Sequence, residues 1–331
     1  MTARITIDPR SPSPDSIRQA VEVLRAGGLV AFPTETVYGL GAHALDAAAV
    51  NKIFAAKDRP GWDPLIVHVA DTTMARSLSK DLPPLFDALT ERFWPGPLTL
   101  VVNKAAHVPE QVTAGRPTVA LRQPRHPVAA ALLAAARLPI AAPSANRFGR
   151  PSPTSAEHVL EDLAGRVDLI LDAGPTPLGV ESTVLDLTQS PPAILRPGGV
   201  GREDLAAAIG NVTRAAGVAE EVAARGLAGP GMTVKHYAPR ARVELIDGTA
   251  DEQTALLARR AAELRKAGTK FTVLQSPGDN QRYARTLYAQ LREADAKNIG
   301  VILAVLPPPD GMGLAVRDRL KRAAGMGNEH P

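Results

Sequence analysis

Two neighbouring cations, Lys57 and Arg59, fall in the segment KDRPGWDPLIVHV, between a helical pattern and an apolar run typical of a strand. Pro60 ends the helix and Pro64 opens the strand, so the cations lie in a loop with restricted backbone freedom. Favourable charge at a helix C-terminus accounts for one cation. Two cations in a loop held by two prolines predict an anion-binding role, because their direction is fixed at low entropic cost.

Two strand patterns carry polar residues near their ends. In LIVHV, successive side chains of a strand point to opposite faces, so His68 lies on the other face from Val67 and Val69. Such a histidine belongs either to the core or to a ligand site. In TVALR, Thr118 and Arg122 share one face. An arginine there is either a solvent-facing rim residue or a planar fork that binds a carboxylate or phosphate. The residues alone leave both alternatives open.

Further polar residues follow other strand patterns. In APSANRFGRPSPTS, Ser144 and Asn146 either cap a turn or hydrogen-bond a nucleotide, and the small Ala145 allows close approach. Arg196 stands at the end of a strand in RPGG, and Tyr237 in KHYAP gives a linker a side chain that a spacer does not need. Cations at strand ends of a mixed α/β sheet predict an anion site at one edge of that sheet.

The elements that position these residues form two units. Up to about residue 210, short strands bounded by Gly or Pro alternate irregularly with helices. Too few helices separate the later strands for parallel crossovers throughout, so we expect a twisted mixed sheet with packed helices. Beyond Arg242, regular alternation predicts a small, Rossmann-like parallel βαβαβα domain. The predicted divisions are residues 1–210, a linker at 211–241, and a second domain at 242–331.

The composition excludes several kinds of site. The 331 residues include no cysteine, so disulfides, thiolate zinc sites, iron–sulfur clusters and cysteine nucleophiles are excluded. No G-x-x-x-x-G-K-[ST] segment is present, which excludes a phosphate site of the P-loop kind. GLGAHA matches the dinucleotide pattern, but its strand breaks at Pro33 and the next N-cap is Asp46, which favours a plain turn.

Charge and hydropathy limit the partners. No apolar run reaches membrane-spanning length and the N-terminus has no signal region, so we expect a cytoplasmic protein with no membrane partner. The net charge of +4 favours anionic partners such as nucleotides or RNA. Because the arginines are scattered, an ordinary basic surface is the simpler interpretation, and any RNA contact is expected to be weak.

The sequence resembles the threonylcarbamoyl-AMP synthase family, which has the YrdC-like fold, in its long form with an extra C-terminal domain. The segments that carry the resemblance are FPTETVYGLG, KDRPGWDPLIVHV, FWPGPLTLVV, VALRQPRHP, PIAAPSANRFGRPSPT, GVESTVLDL, ILRPGG and KHYAP. The KxRP and SxN pair is the most specific part. RYARTLYAQLREAD and GMGLAVRDRLKRAA resemble the extra domain. The resemblance implies a YrdC-like catalytic domain at 1–210, a linker that closes over the active site, and an accessory domain.

The resemblance also implies a reaction. ATP, L-threonine and bicarbonate or CO2 would give threonylcarbamoyl-AMP and pyrophosphate. The product would supply a downstream tRNA threonylcarbamoyl transferase that makes threonylcarbamoyladenosine in tRNA. Mg²⁺ would arrive with ATP, and no protein ligands for it are predicted. Much of the catalysis would consist of positioning.

Site roles follow from the same resemblance. Lys57 and Arg59 would be catalytic, holding the triphosphate and stabilising charge at the attacked α-phosphate, and both are expected on the cleft surface. The further ATP contacts would be Thr118, Ser144, Asn146, Ser152, Arg196 and Tyr237, the last folding over the nucleotide. The L-threonine contacts would be Thr34, His68, Arg122 and Ser182, with Arg122 binding the carboxylate. Gly61 and Ala142 depart from polar residues that the family often has at these places.

Two other functions remain open. A basic RNA-binding module would bind with a steep salt dependence and would not consume ATP. Carbamoyl transfer in metal-centre maturation uses a related domain inside a larger chain, but this sequence lacks the cysteine-bearing segments that such chains need.

Overall fold

The computed structural model of the protein describes residues 1–214, 236–275 and 278–326. Within these ranges the strands form a main sheet of eleven strands and a second sheet of three. The predicted fold class is confirmed, because helices pack on a mixed main sheet and the C-terminal unit has a parallel sheet of its own. Most of the predicted linker, residues 215–235, lies outside the described residues, so the domain boundaries stay predictions. No helix among the described residues is both long and apolar enough to cross a membrane.

The elements of the first unit are short and closely spaced. In chain order they are β1 (Ala3–Thr6), α1 (Pro14–Arg25), β2 (Val30–Pro33), β3 (Tyr38–His43), α2 (Ala47–Lys57), β4 (Ile66–His68), α3 (Thr72–Ser77), α4 (Leu85–Phe93), β5 (Leu98–Asn103), α5 (Glu110–Thr113), β6 (Thr118–Arg122), α6 (Pro127–Ala136), β7 (Ile140–Ala141), α7 (Ala156–Leu163), β8 (Leu169–Asp172), β9 (Thr183–Asp186), β10 (Ala193–Arg196), α8 (Arg202–Ile209) and β11 (Thr213–Arg214). Their order across the sheet is β1-β8-β2-β3-β7-β4-β6-β5-β9-β10-β11. Parallel pairs such as β4 with β6 alternate with antiparallel pairs such as β5 with β6.

Apolar side chains cover both faces of the main sheet, and strand β2 shows why. Ala31 belongs to the buried cluster formed with α2 and α4, whereas Val30 and Phe32 belong to the cluster formed with α1 and α6. Successive residues of a strand point to opposite faces, so a strand that is buried on both faces must be apolar throughout. The polar positions of such strands are therefore left at the strand ends, where the candidate site lies.

Helix α2 and the loop that follows it carry Lys57 and Arg59, the first two predicted cations, to the strand ends where the candidate site lies. The Asp46 carboxylate caps the helix by accepting from the backbone N–H groups of Ala48 and Ala49, as the sequence predicts. Asp58 ends the helix in the left-handed conformation, with φ of 53°. The chain then turns through the proline-flanked loop into β4.

The C-terminal unit follows the predicted βαβαβα order. Its elements are β12 (Arg242–Ile246), α9 (Ala250–Lys266), β13 (Phe271–Leu274), α10 (Asn280–Ala296), β14 (Val301–Val305) and α11 (Gly311–Ala323). All pairings are parallel, in the order β12-β14-β13. Helix α10 packs closely on the first unit at Gly179, where an added Cβ would lie 2.4 Å from the Cα of Arg285. Only glycine permits this approach.

Candidate active site

The ends of several strands of the main sheet surround one small cavity. The walls are the turn after β2, the ends of β4, β6 and β10, the segment after β7, and the residues just before β9. Its volume is about 50 Å³. Eight of the twelve predicted site residues line it, namely Thr34, Arg59, His68, Arg122, Ser144, Ser182, Arg196 and Tyr237.

Arg59 reaches the cavity from the loop after α2 although only 8% of the residue is exposed. Its Nη2 lies 2.9 Å from Asp63 Oδ2 and donates to Pro64 O at 2.9 Å, while Nε donates to Asp63 O at 3.2 Å. The guanidinium also lies over the Phe148 ring, 5.9 Å from its centroid. These contacts fix the direction of the charge, which is the effect predicted from the two prolines.

Lys57 does not lie on the cleft surface, so that expectation is wrong. The residue is 1% exposed, and its Nζ donates to Ser144 O at 2.5 Å and to Asn146 O. Burial, and then the charge of Arg59, hold the pKa of Lys57 well below its ordinary value. The reason is packing, because the last residue of α2 is directed inward beneath the turn that follows β7. Lys57 therefore supports the Ser144–Asn146 turn from behind, and its contact with ATP stays a prediction.

His68 and Arg122 stand side by side because the parallel strands β4 and β6 pair them in register. Both are 3% exposed. Neither ring nitrogen of His68 makes a hydrogen bond of good geometry with a described residue, although the backbone of Ile66 and that of Ile140 lie close enough to act on its pKa. Burial, and then Arg122, hold the pKa of His68 well below its ordinary value, so the ring is neutral near pH 7. Because core polar groups are normally hydrogen-bonded, two unpartnered nitrogens in a cavity wall favour the ligand-contact alternative.

Arg122 is held from the turn after β2. Its Nη1 donates to Thr36 Oγ1 at 3.0 Å and its Nε donates to Gly96 O at 3.2 Å. Its Nη2 lies 2.8 Å from Glu35 Oε1, an ion pair whose angles are not those of a hydrogen bond. Thr34 Oγ1 lies 2.7 Å from Thr36 Oγ1 and completes the chain of hydroxyls. Arg122 is thus held by Thr36, Gly96 and Glu35, and its contact with a ligand carboxylate stays a prediction.

Arg196 and Ser182 connect the predicted nucleotide and threonine sides. Nε and Nη2 of Arg196 donate to Ser182 O at 3.2 and 3.0 Å, and Nη2 also donates to Ser182 Oγ at 3.2 Å. The Ser182 hydroxyl also lies 2.8 Å from Thr99 Oγ1. A Cβ on Gly198 would lie 2.3 Å from the carbonyl carbon of Ser182, so this approach requires glycine.

The turn after β7 is arranged by its own hydrogen bonds. Ser144 lines the cavity, whereas Asn146 and Ser152 lie behind its wall. Asn146 Nδ2 donates to two backbone carbonyls of the same loop, and within the described part of the chain its Oδ1 has no partner. Ser152 Oγ donates to Glu181 Oε1 at 2.6 Å. Contact of Asn146 and Ser152 with a nucleotide stays a prediction.

Thr118 lies away from the cavity. It begins β6, where it pairs with Asn103, whereas Arg122 ends the strand at the cavity. At a strand rise of about 3.3 Å per residue, the two are about 13 Å apart. Its contact with ATP also stays a prediction.

Tyr237 forms part of the cavity wall next to the C-terminal unit. It is 1% exposed and has φ of 60°, a conformation that a bulky residue adopts only where the packing imposes it. Its ring lies 5.5 Å from that of Tyr288, and the Arg319 guanidinium lies 5.3 Å from its centroid. The preceding His236 packs edge-on against Phe148 at 5.5 Å. This packing fixes Tyr237 in the cavity wall, and its contact with a nucleotide stays a prediction.

Three residues that shape the cavity, Glu35, Thr36 and Glu181, were not among the predicted site residues. Thr36 and Glu181 line it, and Glu35 pairs with Arg122. Glu35 and Glu181 are adjacent to the predicted Thr34 and Ser182, and Thr36 is two residues from Thr34, in the segments TET and VES. That adjacency was the available signal, but their partners are distant in sequence and could not be identified from it.

The arrangement has a definite chemical capacity. The guanidinium groups of Arg59, Arg122 and Arg196 and the neutral imidazole of His68 face one enclosed space. Preorganised cations in a site with little water stabilise phosphate and carboxylate charge strongly. The groups that line the cavity are therefore suited to bind phosphate and carboxylate oxygens.

Comparisons with known proteins agree with this capacity. The Sua5_yciO_yrdC family, described as "Telomere recombination", matches residues 22–198, and the Sua5_C family, described as "Threonylcarbamoyl-AMP synthase, C-terminal domain", matches residues 200–325. The threonylcarbamoyl-AMP synthases of Pyrococcus abyssi and Bacillus subtilis are 45% and 42% identical to this chain. These alignments cover 93% and 96% of it, and 94% and 95% of the relatives.

Solved structures extend the agreement to three dimensions. The crystal structure of P. abyssi Sua5 complexed with L-threonine matches with a TM-score of 0.92 at 42% identity, and 98% of each chain is covered. The E. coli YciO structure matches 60% of this chain with a TM-score of 0.51 at 27% identity. The first match spans both units, whereas the second is confined to part of the chain. The chain therefore belongs to the Sua5/YciO/YrdC family, in the long form that carries the threonylcarbamoyl-AMP synthase C-terminal domain.

Proposed function

We propose that this protein is a threonylcarbamoyl-AMP synthase, which converts ATP, L-threonine and bicarbonate or CO2 into threonylcarbamoyl-AMP and pyrophosphate. The observation that carries the proposal is the single cavity that brings Arg59 and Arg196 together with His68 and Arg122. The names of relatives that match nearly the whole chain support the reaction. The threonine complex of P. abyssi Sua5 supports L-threonine as a ligand.

The threonine side follows from the chemistry of the amino acid. Its carboxylate fits the planar fork of Arg122, whose Nη2 faces the cavity beside Glu35. The neutral ring of His68 offers one donor and one acceptor to the amine or the hydroxyl. Neutrality matters, because a neutral ring nitrogen can accept a hydrogen bond from the ammonium group of the incoming amino acid, whereas an imidazolium would repel that group. Thr34 and Ser182 complete the polar lining.

The reaction then runs in two steps. With CO2, the uncharged amine nitrogen bonds to carbon and its proton passes to solvent, giving a carbamate. With bicarbonate, the same proton leaves with the hydroxyl group of bicarbonate as water. A carbamate oxygen attacks the α-phosphorus of ATP, and the bond from that phosphorus to the bridging oxygen breaks, releasing pyrophosphate. Arg59 and Arg196 are placed to hold the phosphates and offset the charge that develops. The enzyme contributes mainly by positioning the two reactants.

The nucleotide side is assigned to the turn after β7 and to Tyr237. Ser144 lines the cavity, and the turn it belongs to is supported by the buried ammonium of Lys57. Asn146 has a buried amide oxygen that has no partner in the described ranges, and a ligand donor would satisfy it. Tyr237 supplies an aromatic wall that excludes water from a labile product.

Mg²⁺ is proposed to arrive with ATP. Among the described residues, no group of three or more His, Asp and Glu side chains is placed to hold a metal ion. The carboxylates nearest the cavity contact arginines, as Glu35 does Arg122 and Asp63 does Arg59. The protein groups thus do not fit a metal site of their own, and we propose triphosphate oxygens and water as the ligands.

We further propose that the product is passed to a tRNA threonylcarbamoyl transferase, which implies a cytoplasmic location. As a second proposal, the net charge of +4 favours a weak direct contact with RNA. Binding of tRNA that weakens steeply with salt would support such a contact, and the absence of binding at low salt would exclude it.

Release of pyrophosphate from ATP tests the function. We expect release that requires both L-threonine and bicarbonate, together with incorporation of labelled bicarbonate into a nucleotide product. L-serine and glycine serve as controls, since both have the carboxylate but lack the methyl group or the whole side chain. Release that ignores threonine, or that yields no labelled nucleotide, would refute the proposed function.

A further inference from the structure

Helices α10 and α11 place three buried side chains against the catalytic domain. Tyr288 and Arg319 are fully buried, and Arg292 is 4% exposed. The two domains share an apolar core here, because Val37 and Val180 of the catalytic domain belong to the same buried cluster as α10 and α11. The contact is a packed interface rather than a loose tether.

Glu181 is the centre of this interface. Its Oε1 accepts from Ser152 Oγ at 2.6 Å, and its Oε2 accepts from Arg319 Nε at 2.7 Å. The Tyr288 hydroxyl lies 2.9 Å from Oε2 and 3.0 Å from Oε1. Burial alone would raise the pKa of Glu181, but Arg319 and then Arg196 lower it to about 2. It is therefore an ionised carboxylate whose position is set by two side chains of the C-terminal domain.

The partners of Glu181 connect it to the proposed nucleotide side. The Ser152 hydroxyl donates to it, which fixes the orientation of that hydroxyl. Arg319 also donates from Nη2 to Pro197 O at 3.0 Å, directly after Arg196 in the chain. One arginine of the C-terminal domain thus contacts both the carboxylate and the segment that carries a cavity arginine.

Arg292 holds the same loop one residue earlier. Its Nη2 donates to Pro151 O at 2.5 Å, and the guanidinium pairs with Asp162 at 2.7 Å and with Glu161 at 3.0 Å. Pro151 and Ser152 are consecutive, so a direct contact from Arg292 and an indirect contact from Tyr288 and Arg319 through Glu181 converge on one point of the loop. Glu181, which transmits the second contact, lines the cavity.

Charge explains why Arg319 matters to a ligand. Glu181 lines the cavity, and Arg319 supplies its nearest opposite charge. An unpaired buried carboxylate is strongly unfavourable in a protein interior. Without Arg319, Glu181 would pair with Arg196 instead. The carboxylate would then repel a phosphate group bound at Arg196.

We propose that the C-terminal domain completes the nucleotide half of the active site, with Tyr288 and Arg319 as positioning residues that act through Glu181 on Ser152 and Arg196. The inference rests on the proposed function, which identifies the nucleotide as ATP. It gives the C-terminal domain a role in ATP affinity that the fold alone does not assign.

Tyr288→Phe tests the proposal with the smallest change, and Tyr283→Phe is its matched control. Both tyrosines are buried on α10, but the Tyr283 hydroxyl donates to Val305 O inside the C-terminal domain. In the full chain we expect Tyr288→Phe to raise KM for ATP about 5-fold, the effect of one hydrogen bond, with kcat and the threonine KM nearly unchanged. If both variants raised KM for ATP equally, or if Tyr288→Phe raised KM for ATP and for threonine equally, Tyr288 would be shown to have only a structural role.

Arg319→Gln tests the charge argument. We expect KM for ATP to rise by about 10-fold or more, because the buried carboxylate loses its partner. Adding Glu181→Gln removes that carboxylate charge and is expected to restore part of the ATP affinity. If Arg319→Gln does not fold, the double variant takes its place and is expected to fold, since it leaves no unpaired charge. Absence of rescue in both affinity and folding would overturn the argument.

Calorimetry with a non-hydrolysable ATP analogue separates this inference from the proposed function. If the wild-type protein binds the analogue but shows no threonine-dependent turnover of ATP, the proposed function is overturned. The affinities of the wild type and the variants for the analogue would still test the inference. Unchanged analogue affinity in Tyr288→Phe would overturn the inference and leave the function intact.

Discussion

Replacement of Lys57 by methionine is expected to abolish turnover while changing stability little. The side chain is 1% exposed and its ammonium donates to the carbonyls of Ser144 and Asn146. Methionine keeps a similar length and flexibility but removes the charge and both hydrogen bonds. The turn that carries Ser144 then loses its support on the side away from the cavity.

Two opposing contributions set the change in stability. A hydrogen bond from a charged donor contributes about 1.5–3 kcal/mol, so losing two of them destabilises the protein by about 3–6 kcal/mol. Against this, removing a buried ammonium recovers a desolvation penalty of several kcal/mol. The pKa of Lys57 lies well below its ordinary value, chiefly because of burial, which means that the folded protein disfavours the charged form. We therefore expect a net loss of less than about 2 kcal/mol in the free energy of unfolding.

The effect on catalysis is expected to be far larger. Lys57 is predicted to contact the triphosphate, and loss of such a preorganised cation would lower kcat by about 100-fold or more. ATP at about 100 times its Kd stabilises a protein by about 2.7 kcal/mol, and this gain should largely disappear in the variant. Pyrophosphate release measures turnover, and urea unfolding with and without ATP measures both stabilities.

Lys52→Met is the matched control. Lys52 lies on the same helix and its Nζ also donates to a backbone carbonyl, that of Gly27, which is not part of the Ser144–Asn146 turn. The control should keep wild-type turnover and ATP stabilisation. If Lys57→Met lost more than about 4 kcal/mol of stability, or if it retained turnover, the reasoning would be refuted.

Three further predictions follow from the same geometry. Arg122→Lys should raise KM for threonine about 10-fold or more while leaving KM for ATP nearly unchanged, because an ammonium cannot replace the fork; equal changes for both substrates would contradict the assignment. The free energy of unfolding should fall as pH drops below about 6.5, because burial depresses the folded pKa of His68 and His236 and only the unfolded chain takes up those protons. The slope should be up to about 1.4 kcal/mol per pH unit per histidine and shallower in His68→Gln, as urea titrations at each pH would show. Chelation of Mg²⁺ should weaken ATP binding at least about 10-fold without changing the thermal unfolding temperature of the ligand-free protein; a large drop in that temperature would indicate a metal held by the protein itself.

Local patterns in the sequence were enough to predict many elements of the fold. The N-cap Asp46 and helix α2 are examples, because capping and helical periodicity depend on residues close in the chain. Strand pairing is different: Ala3 pairs with Leu169, and no local signal specifies such a partner. Helices α3 and α4 were not predicted, since their short amphipathic patterns lie between stronger strand signals.

The candidate site was likewise predicted in part: its residues were recognised, but the contacts between them were not. Polar residues at strand ends were recognised because the ends of adjacent strands meet at one edge, as His68 and Arg122 do. Which partner each of them contacts could not be predicted. Glu181 and Arg319 are 138 residues apart, in different domains. Lys57 was placed on the cleft surface wrongly, because the direction of the last side chain of a helix depends on what packs above it.

The charges that line the cavity connect these observations to the form of ATP that the site would accept. Arg59, Arg122, Arg196 and Glu181 are the charged residues among the described cavity wall, and their net charge is +2. Fully ionised ATP carries about −4, whereas its complex with one Mg²⁺ carries about −2, so the magnesium complex brings less uncompensated negative charge into the site than free ATP does. A buried site is sensitive to such a difference, because uncompensated charge is unfavourable where water is excluded. Removing Arg319 would leave the charge of Glu181 turned toward the proposed nucleotide site, so under the proposed function the C-terminal domain and Mg²⁺ would act on the same charge balance.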